Sequence, residues 1–256
     1  MIPLVLRTIN RKLTKYLEDK YPNWDVSVAL RYLPIVDDIK NYLEPDTEVL
    51  DVGSGEFGLA TYARGKFNIT GTDIAFRQSR KQDLKIVKAS AEKLPFKDNF
   101  FDAVVSVDMM EHLRPEIRKK AVSEMIRVAK HKVYLSFPTG NLSRRIDGAI
   151  LRYYKFTHKE ELPFLREHLQ MGLPHTKDIE SFIKDSFKQN NKTGQIVKKG
   201  NTNSLVWLIL LLLGFSEVNL LTSFYHKLLF FLPILKLVHF WPTYRIMYIV
   251  GLDAHD

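Results

Sequence analysis

The sequence predicts an α/β fold, an open and mostly parallel sheet with helices on both faces. Three observations carry that expectation. An apolar strand over residues 49–52 runs into the glycine turn Gly53-Ser54-Gly55-Glu56-Phe57-Gly58. A second apolar strand over 67–72 ends in Asp73, fifteen residues past Gly58. Strand and helix patterns then alternate as far as residue 138, the order that gives parallel strands with covered faces.

Taken in order, residues 1–45 alternate apolar and polar positions at helical spacing, and Pro22 and Asn23 divide them into two helices. The second helix, over 26–43, stops at Leu43-Glu44-Pro45-Asp46 before the first strand. Glycines suit the turn at 53–58 because a Cβ would block close approach of a ligand and because φ is free to be positive. A helix over 59–66 follows, so backbone N–H groups and a helix N-terminus face any bound ligand. A carboxylate at the position of Asp73 can accept both hydroxyls of a ribose. Gly53, Gly55 and Gly58 also spell the dinucleotide fingerprint, and an enzyme using NAD is the alternative cofactor reading. Asp51, two positions before the first glycine, leans away from it, because a carboxylate there repels a pyrophosphate and welcomes a cation. Gly53, Asp73, Ser90 and Asp108 all follow strand ends, so they should converge on the carboxyl edge of the sheet.

Past Pro138 the regularity fades. Residues 139–170 read as an insertion rich in basic and aromatic side chains, among them Arg144, Arg145, Arg152, Tyr153 and Tyr154. A helix is expected over 176–187, then a mobile polar loop over 188–203. Residues 205–213 are nine apolar residues in a row and read as a buried helix packed on the sheet. A second apolar run, 228–241, is broken only by Pro233, Lys236 and His239. Neither run reaches the roughly 18–20 residues that span a bilayer. The second fits an interfacial helix on a membrane or a lipid pocket, and equally a dimer contact or ordinary core.

Composition sets limits. The chain has 256 residues, 45% hydrophobic and 26% charged, which is globular. With no cysteine, disulfides, thiolate zinc sites and cysteine nucleophiles are excluded. No His/Asp/Glu cluster has ligand-like spacing along the chain, so no metal site is expected. The net charge of +9 is uneven: residues 141–203 hold twelve bases against seven acids. That excess reads as a solvated surface or as attraction to nucleic acid or an anionic membrane, and charge alone does not choose. Met1-Ile2-Pro3-Leu4-Val5-Leu6-Arg7 lacks the pattern of a secretory signal, so a cytoplasmic location is expected, with peripheral membrane contact through 228–241 as its variant.

The wording Val49-Leu50-Asp51-Val52-Gly53-Ser54-Gly55 resembles motif I of the class I S-adenosylmethionine-dependent methyltransferases. Thr70-Gly71-Thr72-Asp73-Ile74 is similar to that family's ribose-binding end of strand two, and Ala89-Ser90-Ala91-Glu92 to its adenine-side loop. Many relatives have an aspartate where Ser90 stands, and a serine can still accept one hydrogen bond. Ser106-Val107-Asp108-Met109-Met110-Glu111-His112 is similar to motif IV with its trailing Glu-His. The resemblance covers about residues 45 to 140 in order. It implies a Rossmann-like, seven-stranded, mostly parallel sheet with an antiparallel last strand and helical insertions. Strand six is expected at 214–221 and strand seven at 244–251. The implied organisation is an N-terminal helical cap over 1–45 and a cofactor-binding domain over 46–256, with insertions at about 139–203 and 223–242.

The resemblance also assigns roles. S-adenosyl-L-methionine is the implied cofactor, with Asp51, Gly53, Ser54 and Gly55 at its methionine part and Asp73 and Ile74 at the ribose. Ser90, Ala91 and Glu92 would line the adenine, and Asp108 would sit beside the methyl group. His112, His168 and Asp108 are the candidate bases, although His112 and Glu111 also fit structural roles at a helix start. The acceptor is expected to be a small molecule or lipid-like. An RNA or protein methyltransferase, or a non-catalytic module that binds the cofactor, are the alternatives.

Overall fold

The computed structural model describes residues 4–44, 46–56, 58–76 and 84–253. Met1–Pro3 of the chain start, Pro45 of the expected helix stop and Phe57 of the glycine turn lie outside them. Two helices lead, α1 (Leu4–Lys20) and α2 (Val26–Tyr42), and Asp25 caps the second by accepting the Val28 N–H at 3.0 Å. The alternating part follows: β1 (Glu48–Val52), α3 (Ala60–Ala63), β2 (Asn68–Asp73), β3 (Lys85–Lys88), β4 (Phe101–Val107), α4 (Pro115–Val128) and β5 (Ala129–Pro138). Three helices come next, α5 (Gly140–His158), α6 (Pro163–Met171) and α7 (Thr176–Gln189), and then β6 (Gly194–Asn203). Helices α8 (Ser204–Gly214), α9 (Asn219–Lys227) and α10 (Leu232–Leu235) precede the final strand β7 (Thr243–Leu252).

The seven strands lie in the order β3-β2-β1-β4-β5-β7-β6. Strands β1 to β5 pair in parallel, and β7 runs antiparallel between β5 and β6, as the resemblance implied. Strand order reverses between β1 and β4, which opens a crevice at their carboxyl ends. Successive residues of a strand face opposite sides, and the core divides accordingly. Val49, Ala103 and Val105 pack with Leu30, Ile35 and Ile39 of α2 on one face, while Leu50, Val104 and Val133 pack with Val122, Met125 and Ile183 of α4 and α7 on the other. A third cluster, with Ile146, Leu165, Trp207 and Tyr244, joins α5, α6 and α8 into a roof beside the strand ends.

Several expectations are corrected. The helix after the glycine turn has four residues rather than eight, because Arg64 and Gly65 take positive φ (55° and 64°) and end it. Residues 188–203 are not a loop throughout: 194–203 form β6, and the stretch expected as strand six, 214–221, ends α8 and begins α9. The reason is position in the sheet. β6 is the outermost strand and pairs only with β7, so hydrogen bonds hold it where apolar side chains do not, and its exposed Lys198 and Lys199 suit an edge. In the false strand, Val218 and Leu220 are 55% and 76% exposed. The added helical material between β6 and β7 therefore spans 204–242 rather than 223–242. The apolar helix α8 follows strand six instead of preceding it and is half buried, with Trp207 and Leu210 inside and Leu205 out. Residues 228–241 are a 3₁₀ turn, Leu228–Phe231, then α10 and irregular chain, not one interfacial helix. Among the described residues no helix is long and apolar enough to cross a membrane.

Candidate active site

Two cavities meet at the carboxyl ends of β1 and β4. The first, of about 450 Å³, is lined by Gly53, Asp73, Ile74, Ser90, Ala91 and Asp108, with Met109, His112 and Leu113 on its far wall. The glycine turn is tied to β2 by the Gly53 and Ser54 N–H groups, which donate to the Thr72 carbonyl at 2.8 and 3.1 Å. Gly53 has φ +77°, and a Cβ there would come within 2.7 Å of the Met109 side chain. Asp73 accepts the Gly55 N–H at 3.0 Å and the Ala75 N–H at 3.3 Å, which fixes its carboxylate at the mouth. Ala89 N–H donates to the Asp73 carbonyl at 3.0 Å and sets the 89–91 loop opposite.

Of the ten residues expected at the cofactor, six line this cavity and four do not. Asp51 lies behind the turn, wholly buried, where it accepts the Leu59 N–H at 2.6 Å and anchors the end of the loop. Burial pushes its carboxyl up to about 7. Ser54 is buried against Gly71, with its hydroxyl 2.6 Å from where a Cβ at Gly71 would be. Gly55 directs its N–H to Asp73, and Glu92 is not among the residues that line the cavity. Asp51 and Ser54 thus shape the turn from behind.

The second cavity, of about 540 Å³, lies under the α5–α6–α8 roof and is lined by residues of α2, α8 and β7. Asp108 and His112 line both cavities, so the two share a wall. A further cavity of about 610 Å³ sits between α1 and α9, away from the strand ends, and touches none of the expected site residues.

Asp108 terminates β4 at φ +52° with its N–H bonded to the Ser136 carbonyl at 2.8 Å. Its carboxylate is clamped between Arg31 Nη1 of α2 and Arg245 Nε of β7, the latter at 2.5 Å. Burial alone would raise its pKa, but Arg245 and Arg31 outweigh that and hold it well below the usual carboxylate range. A carboxylate so held is a poor base and a good anchor. Arg245 also stacks on the Trp207 ring at 3.9 Å.

A chain of acids and imidazoles stands next to that clamp. His112 Nδ1 lies 2.7 Å from Glu167, and His168 Nδ1 lies 3.0 Å from Asp147. The two rings face one another with Nε2 atoms 3.4 Å apart. Tyr244 donates its hydroxyl to the other oxygen of Asp147. Burial, then the neighbouring His168, lowers the pKa of His112. Glu111, expected as a first-turn acid, instead precedes α4 and is wholly buried; desolvation, then Asp108, pushes its carboxyl well above the ordinary range.

All three candidate bases therefore fall at one place, although Asp108 plays a different part from the one expected. Sequence reasoning missed Arg31, Arg245, Asp147, Glu167, Trp207 and Tyr244. One signal was there to be read: the doublets Glu111-His112 and Glu167-His168 exchange partners, the glutamate of the second binding the histidine of the first.

The comparisons agree with this geometry. Residues 50–137 match the family described as "Methyltransferase domain". Those residues carry a methyltransferase domain, and they include the glycine turn, Asp73, Ser90 and Asp108. It is 29% identical over 161 residues to an uncharacterised protein of Methanocaldococcus jannaschii, a match covering 57% of this chain and 70% of that one. It is 24% identical over 212 residues to the glycine/sarcosine/dimethylglycine N-methyltransferase of Actinopolyspora halophila, covering 66% of this chain but only 37% of that enzyme. Among solved structures, a putative methyltransferase from an antibiotic biosynthesis pathway of Anabaena variabilis superposes with a TM-score of 0.54 at 16% identity, covering 86% of this chain and 98% of the other, which is a likeness of fold. The first cavity suits the methyltransferase domain's cofactor: a glycine wall where a Cβ would clash, and a carboxylate at the mouth on the strand-two side.

Proposed function

We propose that the chain transfers a methyl group from S-adenosylmethionine to a small-molecule acceptor bound in the 540 Å³ cavity. The observation that carries this reading is the wall of Asp108 and His112 common to both cavities, which brings a bound acceptor up against the cofactor. S-adenosylmethionine supplies a methyl group already activated on a sulfonium. The protein's part is to align and to exclude water. Gly53, Asp73, Ile74, Ser90 and Ala91 hold the cofactor. Arg31 and Arg245 fix Asp108, and through it the wall, while Trp207 and the α5–α6–α8 roof close the acceptor side. His112 and His168 line the cavity, with His112 on the shared wall, and are the side chains that position the acceptor's reacting atom. A recessed cavity of this size favours a small acceptor over a polynucleotide or protein chain. The small-molecule substrates in the names of its relatives, such as glycine and sarcosine, point the same way.

One observation favours a lipid-like acceptor within that class. Leu220, Ile234, Leu237 and Trp241 of the 204–242 segment are 76%, 65%, 76% and 87% exposed. The test uses methyl-labelled S-adenosylmethionine with the protein and an extract of small metabolites and lipids, partitioned into organic and aqueous phases. Protein-dependent label in either phase supports the proposal, and the organic phase selects the lipid-like acceptor. Label that goes only to added RNA or protein contradicts it.

A further inference from the structure

We infer that Glu111, His112 and His168 form a binding site for one divalent transition-metal ion, of the zinc or manganese class, on the wall of the acceptor cavity. One ligand atom from each of the three residues lies within 4.8 Å of the others. The Nε2 atoms of the histidines are 3.4 Å apart, and His168 Nε2 is 3.9 Å from Glu111 Oε1. Donors that bond an ion at about 2.0–2.2 Å stand roughly 3–3.5 Å from one another, so the two histidine nitrogens are already at that spacing and the Glu111–His168 pair needs only sub-ångström closure.

Hydrogen bonding says why a cation belongs there. Asp147 sits at Nδ1 of His168 and Glu167 at Nδ1 of His112, so each ring spends its Nδ1–H on a carboxylate and turns the Nε2 lone pair inward. Two imidazole lone pairs and the buried Glu111 carboxyl then converge, and an ion bound there would displace any carboxyl proton. Glu111 is wholly buried, and neither of its oxygens has a hydrogen-bond partner. Without an ion, the Nε2–Nε2 contact is satisfied only if one ring carries both protons or turns an Nδ1 lone pair against a carboxylate. Carboxylates behind both imidazoles are instead the arrangement that orients histidine ligands and raises their basicity. Tyr244, bonded to the far oxygen of Asp147, fixes that support in turn.

Two imidazoles and one carboxylate suit zinc or manganese better than magnesium or calcium, which prefer all-oxygen sites. The site lines the acceptor cavity, so an ion held by Glu111, His112 and His168 would leave a position open for an acceptor hydroxyl and would lower its pKa, the proton passing to solvent. This role rests on the methyltransferase reading of the cavities; the metal site itself does not. It also departs from the sequence expectation of no metal, because 56 residues separate His112 from His168 and only the fold brings them together.

The test is calorimetric, on the full chain stripped with a chelator. Titration with Zn²⁺ and with Mn²⁺ should show one saturable equivalent for at least one of them. His168→Ala and Glu111→Gln should each abolish it, and Asp147→Asn should weaken it about 10–100-fold. S-adenosylhomocysteine is titrated into the same samples, with its affinity expected within a few-fold of wild type because neither Glu111 nor His168 lines the cofactor cavity. Absence of metal binding in a wild-type protein that binds S-adenosylhomocysteine overturns the site. So does metal binding that survives both substitutions. Metal binding without S-adenosylhomocysteine binding would leave the site standing and remove the methyltransferase reading instead.

Discussion

Asp108 is the residue on which the two cavities turn. Its carboxylate neutralises two arginines that are largely withdrawn from water, and both would be left without a counter-charge if it were lost. Asp108→Asn should therefore cost on the order of 3 kcal/mol of stability, read from denaturant midpoints, as expected for breaking a buried ion pair from one side. A midpoint within error of wild type would show that the clamp is unimportant. Asp51 gives a prediction of opposite kind. Its pKa is about 7 in the fold against about 3.9 for an aspartate in an unfolded chain, so the native state holds a proton the unfolded chain has released. Stability must then fall as pH rises from about 4 to about 7, with the full penalty present above that range. Asp51→Asn keeps an acceptor for the Leu59 N–H and removes the titration, so its stability relative to wild type should climb across that window; a constant difference contradicts the assignment. At this scale the sequence was legible where a residue follows a strand end. Asp73, Ser90 and Asp108 all converge as expected. Asp51 was misjudged because its neighbours do not reveal which way a strand residue faces at a sharp turn, and Arg31 and Arg245 carried no motif.

Among the elements, the glycine turn is held to a narrow geometry. Gly53→Ala forces a Cβ into Met109 at positive φ, and S-adenosylhomocysteine affinity should fall at least tenfold by calorimetry. Unchanged affinity would mean that the turn can move aside. The 204–242 segment is the opposite case. Trp241 is 87% exposed, so Trp241→Ser should change stability by no more than about 0.5 kcal/mol, a surface effect. A larger loss would place that side chain in an interface the monomer does not show. Strands β1, β2, β4, β5 and β7 were readable because apolar runs mark buried strands, whereas the short, exposed edge strand β3 was not. β6 was not, because an edge strand is held by its backbone and carries the polar side chains of a loop. The roof helices α5 and α6 read only as an insertion, since nothing local says which strand ends they cover.

For the whole molecule, the sheet, the crevice and the roof act together: the switch in strand order creates one cavity, and the helices added after β5 and β6 enclose the other. Fold class, strand order and the cofactor cavity were within reach of the sequence, because the motifs lie on consecutive strands. The second cavity, proposed for the acceptor, was not, because it is assembled from α2, α6, α8 and β7, far apart along the chain. The measurement that tests the account most directly is calorimetric titration of S-adenosylhomocysteine into wild type and Asp73→Ala, with NAD as the competing ligand. The account predicts one equivalent bound by wild type, no NAD binding, and a loss of about 1.5–3 kcal/mol in the variant, the worth of hydrogen bonds to a charged group. Full affinity in Asp73→Ala, or binding of NAD in place of S-adenosylhomocysteine, would contradict it.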